Sequence, residues 1–438
     1  MLELNFTDIL DPNHELLRAA ELIDWDELHE AMSFYYSILG RHGKPIRLMV
    51  GIHILKHYYN CSDERAVEQL HENAYWQCFC GFTCFQRGMI LEATSLVKFR
   101  NRIGPEGMRR VEKVFLNYWR SLGLVKIRRV AVDTTAQPKN IAYPTDADLL
   151  FDIREKTVKQ VKNIRKQMGL RKSFRSFTRV GKKALLYAKK LYRNKPEQQK
   201  QAIKELMSMT NRVANQASPI ANSLYARGHH ALGRELNRLV SMSRRIVTQT
   251  RQVLKGQKPK KRLYSLHEHK VAVIKKGKAN KPCEFGSLVS LTINDDGIIL
   301  SHAEYQQNIA DTQTVATVLK HMEINTGNRA DTLTADRGFD QSYKKQNNCR
   351  RRWGVKRLAI PKKGKRAHRD SHSQWFKQAL KQRVKIEPVI GHLKTDHRMG
   401  RCRYKGPEGD TANVVWAAVA WNVKKVHRLN AIRRAKAA

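Results

Sequence analysis

Between residues 151 and 260 the chain carries 28 Lys and Arg against five Asp and Glu, a local net charge of +23. Like charges at helical spacing repel, and five acids cannot partner that many cations. Such a segment stays compact only if its charge faces outward, toward water or toward a polyanion. The rest of the chain sharpens the choice. Residues 1–60 hold nine acids and five bases, whereas the whole chain holds 83 Lys and Arg against 39 acids, a formal +44. A free-standing metabolic enzyme has little use for that surplus. Nucleic acid is the commonest polyanion that neutralises it.

This is not a disordered basic tail. Apolar residues make up 41% of the 438, with seven Trp and thirteen Phe, enough to bury the cores of two or three domains. Seven cysteines are too few, and odd in number, for a secreted disulfide scaffold. The longest uncharged apolar stretch near the C-terminus, Thr411 to Val423, is thirteen residues, short of the ~20 a spanning helix needs. The N-terminus lacks a basic leader segment. The expectation is a soluble, cytoplasmic protein in a reducing compartment, with no membrane partner.

Residues 1–124 read as short helices broken by turns. Asp11-Pro12 and Ser62 are capping signals. Leu96, Phe99 and Ile103 line one side of a helix that Gly104-Pro105 stops, while Lys98, Arg100 and Arg102 point elsewhere. A helix-turn-helix-like DNA-binding unit and an ordinary helical bundle fit this pattern equally. Met108, Val111, Phe115, Trp119 and Leu122 mark a longer packing helix. At Val125 the period changes, and a strand over 125–133 delivers Asp133 to its end. Residues 146–255 return to helix. Strands resume at 271–274, 285–293 and 298–300, with Asn294-Asp-Asp-Gly297 as hairpin chemistry. Asp311-Thr312 caps a helix, Leu333 to Asp336 is a short strand ending on a second carboxylate, 355–360 is another strand, and 373–398 is helical. With 146–261 set aside the order reads strand, strand, strand, helix, strand, helix, strand, helix, which is an α/β core.

Two aspartates at strand ends, Asp133 and Asp336, and Glu387 on a later helix can converge at one edge of such a sheet. Three carboxylates held together repel unless cations join them, which implies Mg²⁺ or Mn²⁺. Two such ions activate a water or 3′-hydroxyl and stabilise the leaving oxygen of a phosphodiester. Arg383 and Lys394 stand four residues before and seven after Glu387, so all three project from one helical face. An acid between two bases suits metal and phosphate together. Pro388 must kink that helix or begin a new one.

Arg383-x3-Glu387-x6-Lys394 matches the core of the Y-x2-R-x3-E-x6-K signature of bacterial DDE insertion-sequence transposases of the type 4/type 5 superfamily. Val132-Asp-Thr-Thr135, followed by Asn140 to Asp146, resembles that family's first-aspartate motif, and Thr334-Ala-Asp-Arg-Gly-Phe339 its second. Tyr264 to Glu268, Lys276-Gly-Lys278 and Glu284-Phe-Gly286 resemble stretches between the two, and Arg41 to Phe82 with Leu91 to Gly104 resembles its helical N-terminal domain. The signature tyrosine falls on Leu380. The resemblance implies a ribonuclease H-like α/β catalytic core of residues 125–150 plus 262–425, interrupted by the basic helical insertion 151–261. An all-α DNA-binding domain, 1–124, precedes it and a basic tail, 426–438, follows. It implies Asp133, Asp336 and Glu387 as catalytic metal ligands for two Mg²⁺ or Mn²⁺, with Arg383 and Lys394 gripping the mobile element's end. The partners would be the terminal inverted repeats and target DNA, engaged by a homodimer at the nucleoid.

Further DNA contacts are expected from Lys98, Arg100 and Arg102 and, in the insertion, from Arg171, Lys172, Arg175 and Arg179. Asp146 and Asp148 read as first-turn helix acids, and His267 with His269 as strand neighbours without zinc. The cysteines at 78, 80 and 84 read as buried thiols. Three competing functions remain at this level: a hydrolytic nuclease on the same site, an architectural DNA-binding protein needing no carboxylates, and an inactive transposase relic.

Overall fold

Two compact units divide the chain, Met1–Asn140 with Ala272–Ala438 as one and Ile141–Val271 as the other. The structure, a computed structural model, describes residues 5–37, 39, 43–169, 173–192, 194–278, 281–364 and 368–437, without the side chains of 276–278, 281, 282, 343 and 349.

The first unit opens with helices α1 (Phe6–Ile9), α2 (Glu15–Ala20), α3 (Trp25–Ser33), α4 (Ile46–Tyr58), α5 (Asp63–Glu72), α6 (Ala74–Phe79) and α7 (Ala93–Ser121). Ser62 and Asn73 accept from the backbone N–H groups of Arg65 and Trp76, which caps α5 and α6. All of α4 except Arg47 is buried, so its apolar residues go all round rather than along a stripe. The break expected at Gly104-Pro105 is a kink inside α7. Gly104 sits at φ 58°, ψ −174°, a conformation that only glycine adopts at low cost.

The sheet consists of β1 (Arg129–Pro138), β2 (Ala272–Lys278), β3 (Lys281–Asn294), β4 (Ile299–Tyr305), β5 (Thr332–Thr334) and β6 (Arg357–Ala359). Its order is β2-β3-β1-β5-β6, with β4 also on β3. β1 is antiparallel to β3 and parallel to β5, which is parallel to β6. Four strands, not three, therefore precede α12 (Asp311–Thr326), which β5, α13 (Tyr343–Trp353), β6, α14 (Gln374–Arg383), α15 (Ile386–Thr395) and α16 (Gly406–Ala437) follow. The Asn294–Gly297 hairpin forms as expected, with Asn294 Oδ1 accepting from the N–H groups of Asp296 and Ile298.

Two expectations need correction or refinement. β1 starts at Arg129, not Val125, and runs five residues past Asp133, because β3 pairs with it as far as Pro138. Asp133 thus stands mid-strand. The helical stretch expected over 373–398 is two helices, parted at Val384 and Lys385, the second being the new start that is one of the two outcomes expected of Pro388. Pro388 lies in the first turn of α15, where its missing N–H has no helical partner to lose.

One face of the sheet joins the helices in a single core that includes Leu16, Leu55, Phe115, Val132, Leu300, Val318 and Trp416. The opposite face, with Ala131, Leu291 and Ile299, packs on Ile386, Val389 and Leu393 of α15 and on Ala417 of α16. The thirteen uncharged residues of α16 are therefore its buried middle. No described helix is long and apolar enough to cross a membrane. The second unit is built from α8 (Asp146–Met168), α9 (Thr178–Lys190), α10 (Pro196–Ala226) and α11 (His230–Leu254), around apolar clusters that include Leu150, Leu206 and Ile246 and Val161, Ala217 and Leu236.

A buried ion network ties α7 to β4. The ring nitrogens of His302 lie 3.4 Å from Glu112 Oε2 and 2.5 Å from Glu304 Oε1, and Glu304 also meets Arg109 at 3.3 Å. The two carboxylates outweigh burial and push His302 up to about 10, while His302 and Arg109 hold Glu304 down at about 2. The histidine's stabilisation is complete below its unfolded value near 6.5 and is lost as pH rises through about 10. That of Glu304 is complete above about 4.5 and is lost as pH falls through about 2. Replacing His302 by Gln should leave buried Glu112 without its cation and Glu304 with Arg109 alone, and cost about 3–5 kcal/mol near pH 6. Urea unfolding at pH 6 and pH 10 measures this, and a loss below about 1 kcal/mol at pH 6 would remove the network's role.

Candidate active site

The parallel register sets the site. β1 and β5 pair through Ala131 and Thr334, where β5 ends. Asp133 and Asp336 each lie two residues beyond that pair, so alternation turns both to the same side of the sheet. Asp336 begins a 3₁₀ turn, Arg337–Phe339. Its Oδ1 accepts from Gly338 N at 2.7 Å, and Phe339 is buried beneath. Asp311, in the first turn of α12, accepts from Thr134 Oγ1 at 2.7 Å. A Cβ on Gly338 would lie 2.7 Å from Asp311 Oδ2 and 2.8 Å from Asp336 Oδ1. The glycine of Asp-Arg-Gly-Phe is thus required by two carboxylates that close on its Cα.

Arg383 and Glu387 approach from the break between α14 and α15. Arg383 places Nη1 3.8 Å from Asp133 Oδ2 and Nη2 3.1 Å from Glu387 Oε1, so it bridges the two acids. Asp133 is mostly buried, and its carboxyl is pushed up to about 6. Desolvation is the main cause, reinforced by the charges of Asp336 and Asp311 and opposed by the N–H of Thr134 and by Arg383. Glu387 is 62% exposed at the rim. Lys394, two turns along α15, stands 4.0 Å from Glu284 Oε2 on β3.

The donors are hard oxygens of the kind that hold Mg²⁺ or Mn²⁺, and Gly338 keeps the space between Asp311 and Asp336 free of side chain. Asp133, Asp336, Asp311 and the rim residue Glu387 are thus of the donor type that a divalent ion takes. Among the described residues, however, no three acids, histidines or cysteines converge tightly enough to form a ready-made ion site. Arg383 supplies the counter-charge between Asp133 and Glu387 instead.

Asp311 is the residue that sequence reasoning missed. Its Asp-Thr pair reads as a helix-capping signal, and nothing local reveals that α12 begins beside β1. Leu380, at the signature tyrosine's position, packs with Ala359, Phe376 and Ala379. Lys98 and Arg102 are exposed, Arg102 with its guanidinium over the Tyr36 ring. Arg100 corrects an expectation. It is 8% exposed, with both terminal nitrogens on Asp63 at 3.0 and 2.7 Å, and so belongs to the interior rather than to a DNA-facing surface. In the second unit Arg175 and Arg179 are exposed; Arg171 and Lys172 lie outside the described residues. Asp146 pairs with Arg262 and Asp148 with Lys189, as helix acids do.

Two family models match the chain. Residues 4–102 match a transposase domain (DUF772) and residues 254–423 a transposase DDE domain. The second span contains Asp336 and Glu387 but begins after Asp133. The chain is also similar to an uncharacterised protein of Rhizobium meliloti, ORF8 in the nfe locus, at 38% identity over 185 residues, 42% of this chain and 87% of that protein. No solved structure matches significantly.

The raised pKa of Asp133 has a measurable consequence. Folding holds its proton more tightly than the unfolded chain does, so the penalty is absent below pH 3.8 and complete above about 6. In chelator, Asp133→Asn should stabilise the protein by about 1–3 kcal/mol at pH 7.5 and by almost nothing at pH 4. Denaturant titrations at the two pH values read this; equal stability of variant and wild type at pH 7.5 contradicts a buried, mutually repelling carboxylate.

Proposed function

Because the chain belongs to the DDE insertion-sequence transposases, we propose that it cuts phosphodiester bonds at an element's ends and joins the 3′-hydroxyls to target DNA. The observation that carries this reading is the β1–β5 register, which sets Asp133 and Asp336 side by side. The strand order, four strands in antiparallel pairing followed by two parallel ones with helices between, is consistent with a ribonuclease H-like core and supports the same reading. The proposed division follows the sequence: a DNA-binding helical domain over 1–124, a catalytic domain over 125–150 and 262–425, a basic insertion over 151–261 and a basic tail over 426–438.

On this reading Asp133, Asp336 and Glu387 hold two Mg²⁺ or Mn²⁺ ions, which when bound polarise the scissile phosphate and sharpen the attacking hydroxyl. Asp133 at about 6 is mostly ionised at neutral pH, as a ligand must be. Arg383, which now bridges Asp133 and Glu387, carries a guanidinium that could serve a phosphate oxygen. Lys394 adds a second cation on α15, above Glu284. The proposed partners are the terminal repeats and target DNA bound by a homodimer, at the nucleoid. Leu380 gives a second reading its observation: without the tyrosine, the copy is an inactive relic.

The decisive experiment is cleavage and joining of a labelled duplex carrying the element's end. Asp133→Asn, Asp336→Asn and Glu387→Gln should each abolish both steps with duplex binding retained, and each loss should nearly equal that of the triple variant, as for residues acting as a unit. Mg²⁺ or Mn²⁺ should support wild-type chemistry and Ca²⁺ binding alone. Nicking without joining would identify a hydrolytic nuclease, and binding without nicking a relic. Activity in chelator, or in Asp133→Asn, would exclude this centre.

The second unit's charge motivates a separate test. Replacing Arg175 and Arg179 by Ala should weaken binding to all duplexes alike and flatten the log–log salt dependence by about 0.9 for each phosphate no longer neutralised. An unchanged slope removes these two residues from the DNA surface.

A further inference from the structure

A cleft of about 600 Å³ lies in the first unit, between α5 and α7 on one side and residues 398–413 on the other. Its floor is cationic. Lys56 and Arg100, 2% and 8% exposed, share the single carboxylate of Asp63, Lys56 at 2.6 Å and Arg100 at 2.7 Å. Tyr404 completes the floor: its hydroxyl accepts from Lys56 at 2.5 Å, and the Arg100 guanidinium lies 4.4 Å from its ring centre. Two buried cations on one carboxylate leave a surplus charge in a medium of low dielectric, where it attracts an anion strongly.

The rim adds to it. From Arg401 to Lys405 the chain alternates, with Cys402 buried, Tyr404 turned partly inward, and Arg401, Arg403 and Lys405 exposed. Those three cations make no ion pair or hydrogen bond among the described residues, and the rim's acids are Glu64 and Glu408. Backbone positions two apart lie at most about 7 Å apart, and the long Arg and Lys side chains reach neighbouring phosphates along one DNA strand. The ribbon is held rigidly to the end of β1. Cys402 N donates to Pro138 O at 2.7 Å, and Asn140 N to Cys402 O at 2.9 Å. Lys139 Nζ reaches the carbonyls of Tyr404 and Gly406 and pairs with buried Asp410 at 2.8 Å.

We propose that this cleft is a second DNA site, in which Arg401, Arg403 and Lys405 grip successive backbone phosphates of the duplex that is cut at Asp133. The inference rests on the reading of that centre as a DNA-cutting one. β1 carries both features. Five residues separate Asp133 from Pro138, about 16 Å of strand, so a duplex leaving the carboxylates reaches the ribbon roughly five base pairs from the cut. The preformed floor and the anchored ribbon supply the grip without an ordering cost at binding.

The test uses full-length protein in Ca²⁺ and a labelled duplex of mixed sequence, about 30 base pairs long, followed by fluorescence anisotropy across a salt series. Replacing Arg401, Arg403 and Lys405 together by Gln should weaken binding on the order of 10- to 100-fold near 0.1 M salt and lower the log–log slope by about 2.7, at 0.9 per phosphate. Arg401→Lys with Arg403→Lys should restore most of the slope, since a phosphate reads charge; this variant also separates a missing charge from misfolding. At saturating protein in Mg²⁺ the Gln variant should still cut. An unchanged slope in the Gln variant, with wild type binding normally, overturns the cleft alone. Displacement of the duplex by a nucleoside monophosphate at equal phosphate concentration also overturns it, by assigning the cleft to a small ligand. Wild type that binds no duplex defeats the functional reading and the cleft together.

Discussion

Three residue pairs between β1 and β5 hold the two aspartates of the candidate site in place. Arg129, Val130 and Ala131 pair with Thr332, Leu333 and Thr334, and then β5 ends. Beyond that point β1 continues along β3 while the other chain turns away through Asp336. An edge is opened in the middle of a sheet, and both aspartates face into it. Everything nearby accommodates the resulting repulsion. Gly338 gives up its side chain, Phe339 is buried to hold the turn, and Arg383 reaches across from α14. Burial first, and the neighbouring carboxylates after it, hold Asp133 back from ionising. Such a cost is expected where a site is arranged for a ligand rather than for stability.

Sequence patterns foresaw the parts of this arrangement that depend on short-range physics. The Asn294–Gly297 hairpin, the break at Gly104-Pro105 and the cap at Ser62 each follow from residues within a few positions. The motifs around Asp133, Asp336 and Glu387 were legible because their residue types recur at fixed spacing. What escaped depends on partners far along the chain. Val125 and Ile127 alternate like a strand, yet β5 meets β1 only from Arg129, so they pack against the helices instead. The helix over 373–398 carries no strong breaker before Pro388, and it divides at Val384, next to the Arg383 that bridges Asp133 and Glu387. Asp311 has the local signature of a helix start and nothing more.

Arg100 is the most instructive failure. Its position beside Lys98 and Arg102 suggested a basic face, and composition could not reveal that Asp63 would claim it. Periodicity assigns a residue to a face of its own helix, but only tertiary structure says what covers that face. Here the covering elements are α4, α5 and the chain around Tyr404, and the buried guanidinium becomes an organiser of a polar interior.

The same pattern recurs through the first unit and bears on the large positive charge of the chain. Asp63 pairs with both Lys56 and Arg100, Glu304 and Glu112 enclose His302, and Asp410 is sealed against Lys139. A chain with 39 acids and 83 bases thus commits several of its few carboxylates to the interior, where each is needed to tolerate a buried cation. Those carboxylates are withdrawn from the surface, and cations such as Arg401, Arg403 and Lys405 keep no internal partner. Folding itself therefore segregates the charge, with paired ions inside and uncompensated cations outside. The segregation leaves a cationic surface, and a surface of that sign raises the local concentration of any polyanion near it.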